Sequence, residues 1–402
     1  MPQLDIHLES AVPDTFRVQQ IAGMFDLGLA LATRRHVRAE VPDPTEPWQV
    51  GLIVGPSGSG KTTVAGHAFG GALYQPRPWP TDRAVIDCFG DLPIKQLART
   101  LTAVGFSTPP AWLRPYHHLS TGEQFRCDLA AALLGREGAE TRGHGDAKKG
   151  PEFVSASSRP RVSASPPTTV FDEFTSVVDR TIARFSSCAL SKAIRSGIIP
   201  RRFVAVTCHD DIAPWLCPDW VLDMTDGSLS RRRLRRPPIH LQIQRTDRSF
   251  WNFFSPHHYL THDLHRSAFC FLARVDNKPA AFTAVLPFPH PRRPGWREHR
   301  TVCLPDFQGV GIGTTMSNFV ASLFVATGKP YFSRTSHPAM IAHRLSSPSW
   351  KLLRPIGMVS RSGRSSRDKT EMADTISRGR NTAGFEYIGP ARADEAARFA
   401  IV

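Results

Sequence analysis

The chain has 402 residues, more than a single hydrophobic core sustains, so two or more domains are expected. A net charge of +15 and a pI near 10.0 point to polyanion partners such as nucleic acid, with a merely solubilising basic surface as the alternative. Seven cysteines without a C-x-x-C pair argue against a disulfide scaffold or a zinc site, and no apolar run reaches 18 residues, so a cytoplasmic protein without membrane contact is expected.

In chain order, residues 1–48 mix short apolar pieces with Pro13, Pro42, Pro44 and Pro47 and read as leading strands. Phe16 or Phe25 is expected to pack a core, with stacking on an adenine as the alternative. The apolar run Val50–Val54 then leads into Gly55-Pro56-Ser57-Gly58-Ser59-Gly60-Lys61-Thr62-Thr63, a complete G-x-x-x-x-G-K-[ST] loop before a helix. Three glycines let backbone N–H groups converge on an anion, Lys61 reaches the β- and γ-phosphates, and the Thr62 hydroxyl suits Mg²⁺. A strand over 83–89 and a helix over 92–104 follow.

Next comes Leu119-Ser120-Thr121-Gly122-Glu123-Gln124-Phe125-Arg126, opening an apolar helix. A buried strand, Thr168–Phe171, ends in Asp172 and Glu173, and Phe174-Thr175-Ser176-Val177-Val178-Asp179 comes after it. A further strand, Phe203–Thr207, delivers His209, and residues 219–229 read as a closing strand pair. This order of motifs resembles the ABC ATPases. The resemblance implies bound ATP, Mg²⁺ held by Thr62 and Asp172, and Glu173 orienting or deprotonating the attacking water. It also makes His209 the switch residue that senses the γ-phosphate and places Asp179 in the loop after the two carboxylates. Ser120, Gly122 and Glu123, with their helix N-terminus, would receive the ATP held by a second subunit, implying an ATP-dependent head-to-tail homodimer.

The pattern departs from that family in several places. Phe174 replaces the usual Pro, the stretch from Lys61 to Ser120 is short for a transporter ATPase, and Gln75 and Gln96 both lack the context of the Mg²⁺-sensing Gln. Residues 136–167, rich in Gly, Ser, Arg and Pro, read as a disordered insertion. The sequence thus suggests an ATPase domain over 1–230, a basic linker over 231–245 and a second domain over 246–402, with a flexible segment over about 360–384. The Arg231–Arg236 run is either a solvated linker or a nucleic-acid contact.

In the second domain, residues 268–275 and 280–286 form a hairpin about Asp276-Asn277-Lys278, and 297–304 reads as a strand. Gln308-Gly309-Val310-Gly311-Ile312-Gly313 precedes a helix over 314–327. A dinucleotide-binding reading fails because the next strand, 329–333, carries no acid. The loop is similar to the Q/R-x-x-G-x-G/A loop of GNAT acyltransferases, which implies acetyl-CoA or another acyl-CoA, its pyrophosphate held by the loop amides of Gln308, Gly309, Gly311 and Gly313. Short motifs around His258-Tyr259, Arg300 and Ser336 are similar to Mom-type enzymes that modify DNA bases. Candidates for acid, base and anion-placing roles are His258, Tyr259, Arg300, Ser336 and His337; simple packing by His258 and Tyr259 is the alternative. The string His257, His258, Tyr259, His262 and His265 is a weaker metal candidate.

The fold expected is therefore α/β: a P-loop ABC ATPase domain, a mixed sheet with helices, followed by an α+β GNAT domain. Its expected function is ATP hydrolysis coupled to N-acylation of a nucleic acid or an associated substrate. The alternatives are a DNA-clamp ATPase of the SMC or repair type with a binding-only GNAT domain, and an ABC transporter ATPase.

Overall fold

The computed structural model describes residues 3–28, 32–43, 45–135, 166–231, 233–259, 263–358 and 381–402. The chain crosses between two compact units, one made of 1–76, 143–177 and 200–236, the other of 77–142, 178–199 and 237–402. The first holds β1 (Gln3–Ala11), α1 (Phe16–Met24), β2 (Ala32–Glu40), β3 (Val50–Val54) and α2 (Lys61–Phe69). The second then contributes α3 (Ile94–Ala103), α4 (Pro109–Trp112) and α5 (Thr121–Leu134). The chain returns to the first unit for β4 (Thr168–Phe171) and passes to the second for α6 (Arg180–Arg195). β5 (Arg202–Thr207), α7 (Ala213–Leu216), β6 (Trp220–Asp223) and β7 (Ser228–Ser230) complete the first unit.

The five apolar residues of β3 are all buried, as a strand covered on both faces requires, and they occupy the centre of a sheet ordered β4-β5-β3-β6-β7. β3 lies parallel to β5 and β6, β4 lies parallel to β5, and β7 closes the edge antiparallel to β6. β1 and β2 form a separate antiparallel ladder. Phe16 and Phe25 do not pack a core as expected; they are 78% and 65% exposed at the two ends of α1.

The remaining elements of the second unit are β8 (Gln242–Thr246), α8 (Trp251–Phe254), β9 (Phe269–Val275), β10 (Lys278–Phe288) and β11 (Gly295–Cys303). They are followed by α9 (Ile312–Val325), β12 (Tyr331–Thr335), α10 (Pro338–Ser346), β13 (Trp350–Met358), β14 (Asn381–Tyr387) and α11 (Ala393–Arg398). Their sheet runs β13-β14-β12-β11-β10-β9-β8. The β9–β10 turn is tight, with Asp276 and Asn277 both at positive φ (49° and 62°), the conformation short polar side chains tolerate best. Among the described residues β11 and β12 are its one parallel pair, and they meet only at Trp296↔Tyr331 and Arg297↔Phe332 before running apart.

Several expectations need correction. Residues 83–89 are not a strand: Val85–Phe89 is a short 3₁₀ helix that buries Val85 and Phe89 four apart, so packing overrides β-branched propensity. β8 belongs to the C-terminal sheet, so the basic linker ends before 242. The division into units also differs from a boundary at 231, because 77–142 and 178–199 group with the C-terminal sheet; Phe185 of α6 sits in that sheet's core. Residues 381–384 belong to β14 rather than to a flexible segment. Most of the expected insertion, 136–165, and of the flexible segment, 360–380, lies outside the described residues.

Candidate functional site

The first loop joins the buried end of β3 to α2. Gly60, the residue capping α2, has φ 94° and ψ 14°, a left-handed conformation open to glycine at no steric cost, and it turns the first amides of the helix toward the loop. Lys61 is buried, and its ammonium donates to the carbonyls of Gly55 (2.9 Å) and Pro56 (2.8 Å), closing the loop over itself. The Thr62 hydroxyl donates to Asp172 Oδ2 at 2.7 Å, so residues 110 positions apart form one hydroxyl–carboxylate pair. Such hard oxygen donors suit Mg²⁺.

Asp172 Oδ1 also accepts from the Glu173 amide (2.9 Å), and Glu173 (φ 51°) and Thr175 (φ 67°) both adopt the left-handed conformation. For non-glycine residues these are costly, and they fall where the chain leaves the end of β4. Phe174, at the position where the ABC resemblance expects Pro, is fully buried, and its amide donates to the Val206 carbonyl (2.8 Å). A proline could not make that bond. His209 follows β5, its amide donating to Thr207 Oγ1 (3.2 Å). Because β4, β5 and β3 are parallel neighbours, Asp172, Glu173, His209 and the loop all lie at the same sheet end. Gln75 is exposed, and Gln96 lies on the exposed face of α3.

In the second unit Ser120 caps α5: its hydroxyl accepts from the Glu123 amide (3.4 Å), while Glu123 Oε2 accepts from the Ser120 amide (3.0 Å) and hydroxyl (3.1 Å). Ser120 is exposed, so a 14-residue helix presents its N-terminus to solvent. A Cβ on Gly122 would stand 2.5 Å from Ile182 Cδ1, so this glycine lets α5 and α6 touch. Asp179 caps α6, accepting from the amides of Thr181 (2.7 Å) and Ile182 (3.1 Å).

The second loop repeats the geometry of the first: Gly311, capping α9, has φ 106° and ψ 12°. The Gln308 side chain does not face this loop's amides. Its oxygen accepts from the Ser107 amide (2.7 Å), and its nitrogen donates to the Cys303 carbonyl (2.9 Å) and Thr108 Oγ1 (3.1 Å). Gln308 therefore positions the loop from behind.

Beside the gap where β11 leaves β12, Ser336 Oγ donates to the Tyr259 hydroxyl (3.3 Å), bringing together two of the expected residues. His258 is buried, its ring 5.5 Å from Trp251 and 5.2 Å from Tyr259. Arg300 is also buried, and its guanidinium donates to the carbonyls of His299 (3.0 Å) and Asp263 (3.2 Å). Burial, followed by the Arg297 charge, lowers its pKa against Tyr259 and Asp263. His337 Nε2 donates to the Ser107 carbonyl (3.1 Å), tying it to the helical segment. His257, His258 and His265 form no metal-holding group among the described residues, and His262 lies outside them.

Sequence reading missed two residues here. The pairing of β10 with β11 slips between Ala284↔Arg300 and Val285↔Glu298, leaving His299 in a bulge, a feature common beside active sites. Burial, with Arg300, Arg297, His265 and His258 adding to it, pulls the His299 pKa down to about 3, so the ring stays neutral. Glu298 is buried in the gap and holds Arg344 (2.6 Å), Thr301 (2.7 Å), Ser317 (2.7 Å) and Ser333. The signal was present: four charged or imidazole side chains, Arg297 to Arg300, sit in a strand that the sheet places in its interior.

Residues 238–345 match the family described as the acetyltransferase (GNAT) family. No curated protein matches the chain. Among solved structures, a bacterial Atm1-family ABC exporter with ATP bound is 16% identical, with a TM-score of 0.31, covering 50% of this chain and only 35% of the exporter. A dimeric bacterial ABC transporter cassette is 15% identical over 51% of this chain and 92% of its own (TM-score 0.34). The ribosomal-protein-S18-alanine N-acetyltransferase from Escherichia coli is 12% identical over 38% and 97% (TM-score 0.27). Residues 238–345 thus match a GNAT acetyltransferase domain, and the N-terminal unit is an α/β fold whose central buried strand leads into a phosphate-type loop.

Proposed function

We propose that this protein hydrolyses ATP as an ABC-type dimer and uses its GNAT domain to transfer an acyl group from acyl-CoA to an amine on nucleic acid or on a nucleic-acid-associated protein, in the cytoplasm. The observation that carries the reading is the repeated geometry of Gly60 and Gly311. Each is a left-handed glycine that caps a helix at the end of a buried strand or short turn, and neither helix has a side-chain cap on its first amides, which supports reading both as anion cradles.

At the first cradle, Lys61 and the loop amides bind the ATP phosphates, and Glu173 orients the attacking water while His209 follows the γ-phosphate. Thr62 and Asp172 would hold Mg²⁺, which offsets phosphate charge when bound. The open α5 end at Ser120, Gly122 and Glu123 receives the ATP of a second copy. At the other cradle, the amides of Gly309, Gly311 and Gly313 hold the acyl-CoA pyrophosphate. The neutral acceptor amine attacks the thioester carbonyl, an ammonium acceptor having first given one proton to solvent; a C–N bond forms, the C–S bond breaks, and the N–H proton that the amine then loses is matched by the one the thiolate gains. Tyr259 and Ser336, hydrogen-bonded to each other, are the proton carriers of choice, and Arg300 places an anionic group of the acceptor.

Mass spectrometry of nucleosides and proteins from cells with and without the gene tests this reading. An acyl mark that disappears with the gene, and with Gly311→Asp, supports it. Normal ATP hydrolysis with no acyl mark lost would leave a binding-only GNAT domain on a DNA-clamp ATPase.

A further inference from the structure

One face of α6 follows the C-terminal domain along its whole length. Thr181 Oγ1 accepts from Lys278 Nζ (3.0 Å), Arg184 Nη1 pairs with Asp276 Oδ2 (2.5 Å), and the Phe185 ring lies 5.0 Å from that of Phe307. A turn further on, Ala189 Cβ would stand 2.6 Å from a Cβ on Gly309, and then Lys192 Nζ donates to the Val310 carbonyl (3.4 Å). Positions 181, 184–185, 189 and 192 recur at helical spacing, so the contact is a designed face and not a single touch. Its last member is a cation.

The Lys192 ammonium lies 3.6 Å from the position a Cβ on Gly311 would take, beside the residue that caps α9 and carries the loop's central amide. Burial, then the Arg344 and Lys192 charges, lower the pKa of His343 on α10, and its buried Nε2 has no hydrogen-bond partner among the described residues. Backbone amides and a helix terminus attract a pyrophosphate with partial charges only; a full positive charge at the rim adds a charge-assisted bond. We propose that Lys192 binds the pyrophosphate of acyl-CoA, so that a helix beginning at Asp179, directly after the ATPase carboxylates, completes the acyl-CoA site. This inference rests on the acyl-CoA reading of the Gly309–Gly313 loop.

The test is calorimetry on the full chain with acetyl-CoA, and with S-acetylpantetheine as a probe that lacks the pyrophosphate. Lys192→Met should weaken acetyl-CoA binding by about 10- to 100-fold, the span of one charge-assisted hydrogen bond, and leave S-acetylpantetheine and ATP binding unchanged. Lys192→Arg, which keeps the charge, should stay close to wild type. Acetyl-CoA binding unchanged in Lys192→Met would overturn the proposal while sparing the acyl-CoA reading. Equal weakening of both probes would also overturn it, since Lys192 would then only shape the loop through Val310. A wild type that binds no acetyl-CoA would remove the acyl-CoA reading itself, and this inference with it.

Discussion

At the residue scale Glu173, the proposed water-orienting carboxylate, offers the sharpest contrast. Glu173→Gln keeps Lys61, the Thr62–Asp172 pair and the turn geometry, and it removes only the group that orients water. Hydrolysis should fall by roughly 10²- to 10⁴-fold, the span of general-base catalysis, while ATP binding persists and an ATP-bound dimer accumulates. Size-exclusion mass measurement with ATP checks this; a variant that remains monomeric would contradict the head-to-tail dimer. A second residue-scale expectation concerns Glu298. Burial works to raise its pKa, but Arg344 and the hydroxyls of Ser333, Thr301 and Ser317 outweigh it and hold the carboxylate below its usual 4.5. A carboxylate depressed in the folded state adds stability above about pH 4.5 and loses it as the pH falls further. Wild-type melting temperature should therefore drop below pH 4.5, and less steeply in Glu298→Gln, which at neutral pH should be less stable by about 3–5 kcal/mol because Arg344 is left buried without its partner. The loop that ends at Gly60 and Lys61 and the buried strand that leads to Asp172 were legible because they follow local spacing. His299, Glu298 and Lys192 were not, since a bulge, a buried network and a helix face from elsewhere in the chain give them their settings.

At the element scale, the long periodic pieces could be read directly: β3, α5, the β9–β10 hairpin and α9 all fall where apolar pattern and turn residues put them. Residues 83–89 could not, because burial of Val85 and Phe89 among helices decided their form. The pairing of α6 with the second loop was equally hidden, as nothing in a helix sequence names the surface it will cover. That pairing is tight at Gly309. Its φ is 85°, and a Cβ placed on it would stand 2.6 Å from Ala189 Cβ and 3.0 Å from Gly105 Cα, so there is no room for a methyl group. Gly309→Ala should cost about 1–3 kcal/mol by overpacking, with further strain from the left-handed backbone, read as a lowered urea midpoint. A midpoint equal to wild type would mean that α6 and the loop do not pack in solution.

At the scale of the whole molecule, the +15 charge predicts binding to DNA that weakens steeply as salt rises, through loss of counterion release. Arg231 is a weaker contributor than its run suggests, because Glu46 holds its guanidinium (Nη2 to Oε1, 3.1 Å). Neutralising Arg233, Arg235 and Arg236 should therefore flatten the salt slope more per residue than neutralising Arg231, as measured by fluorescence anisotropy; an unchanged slope would move the acceptor away from nucleic acid.

The central claim is that one chain carries two phosphate cradles with different ligands. Calorimetry of ATP and of acetyl-CoA against the wild type, Lys61→Ala and Gly311→Asp tests it most directly. Lys61→Ala removes the cation at the first loop; Gly311→Asp puts a carboxylate against the second, within reach of Lys192. The account predicts that each variant loses one ligand and keeps the other. Absence of acetyl-CoA binding to the wild type, or loss of both ligands in either variant while the protein remains folded, would contradict it.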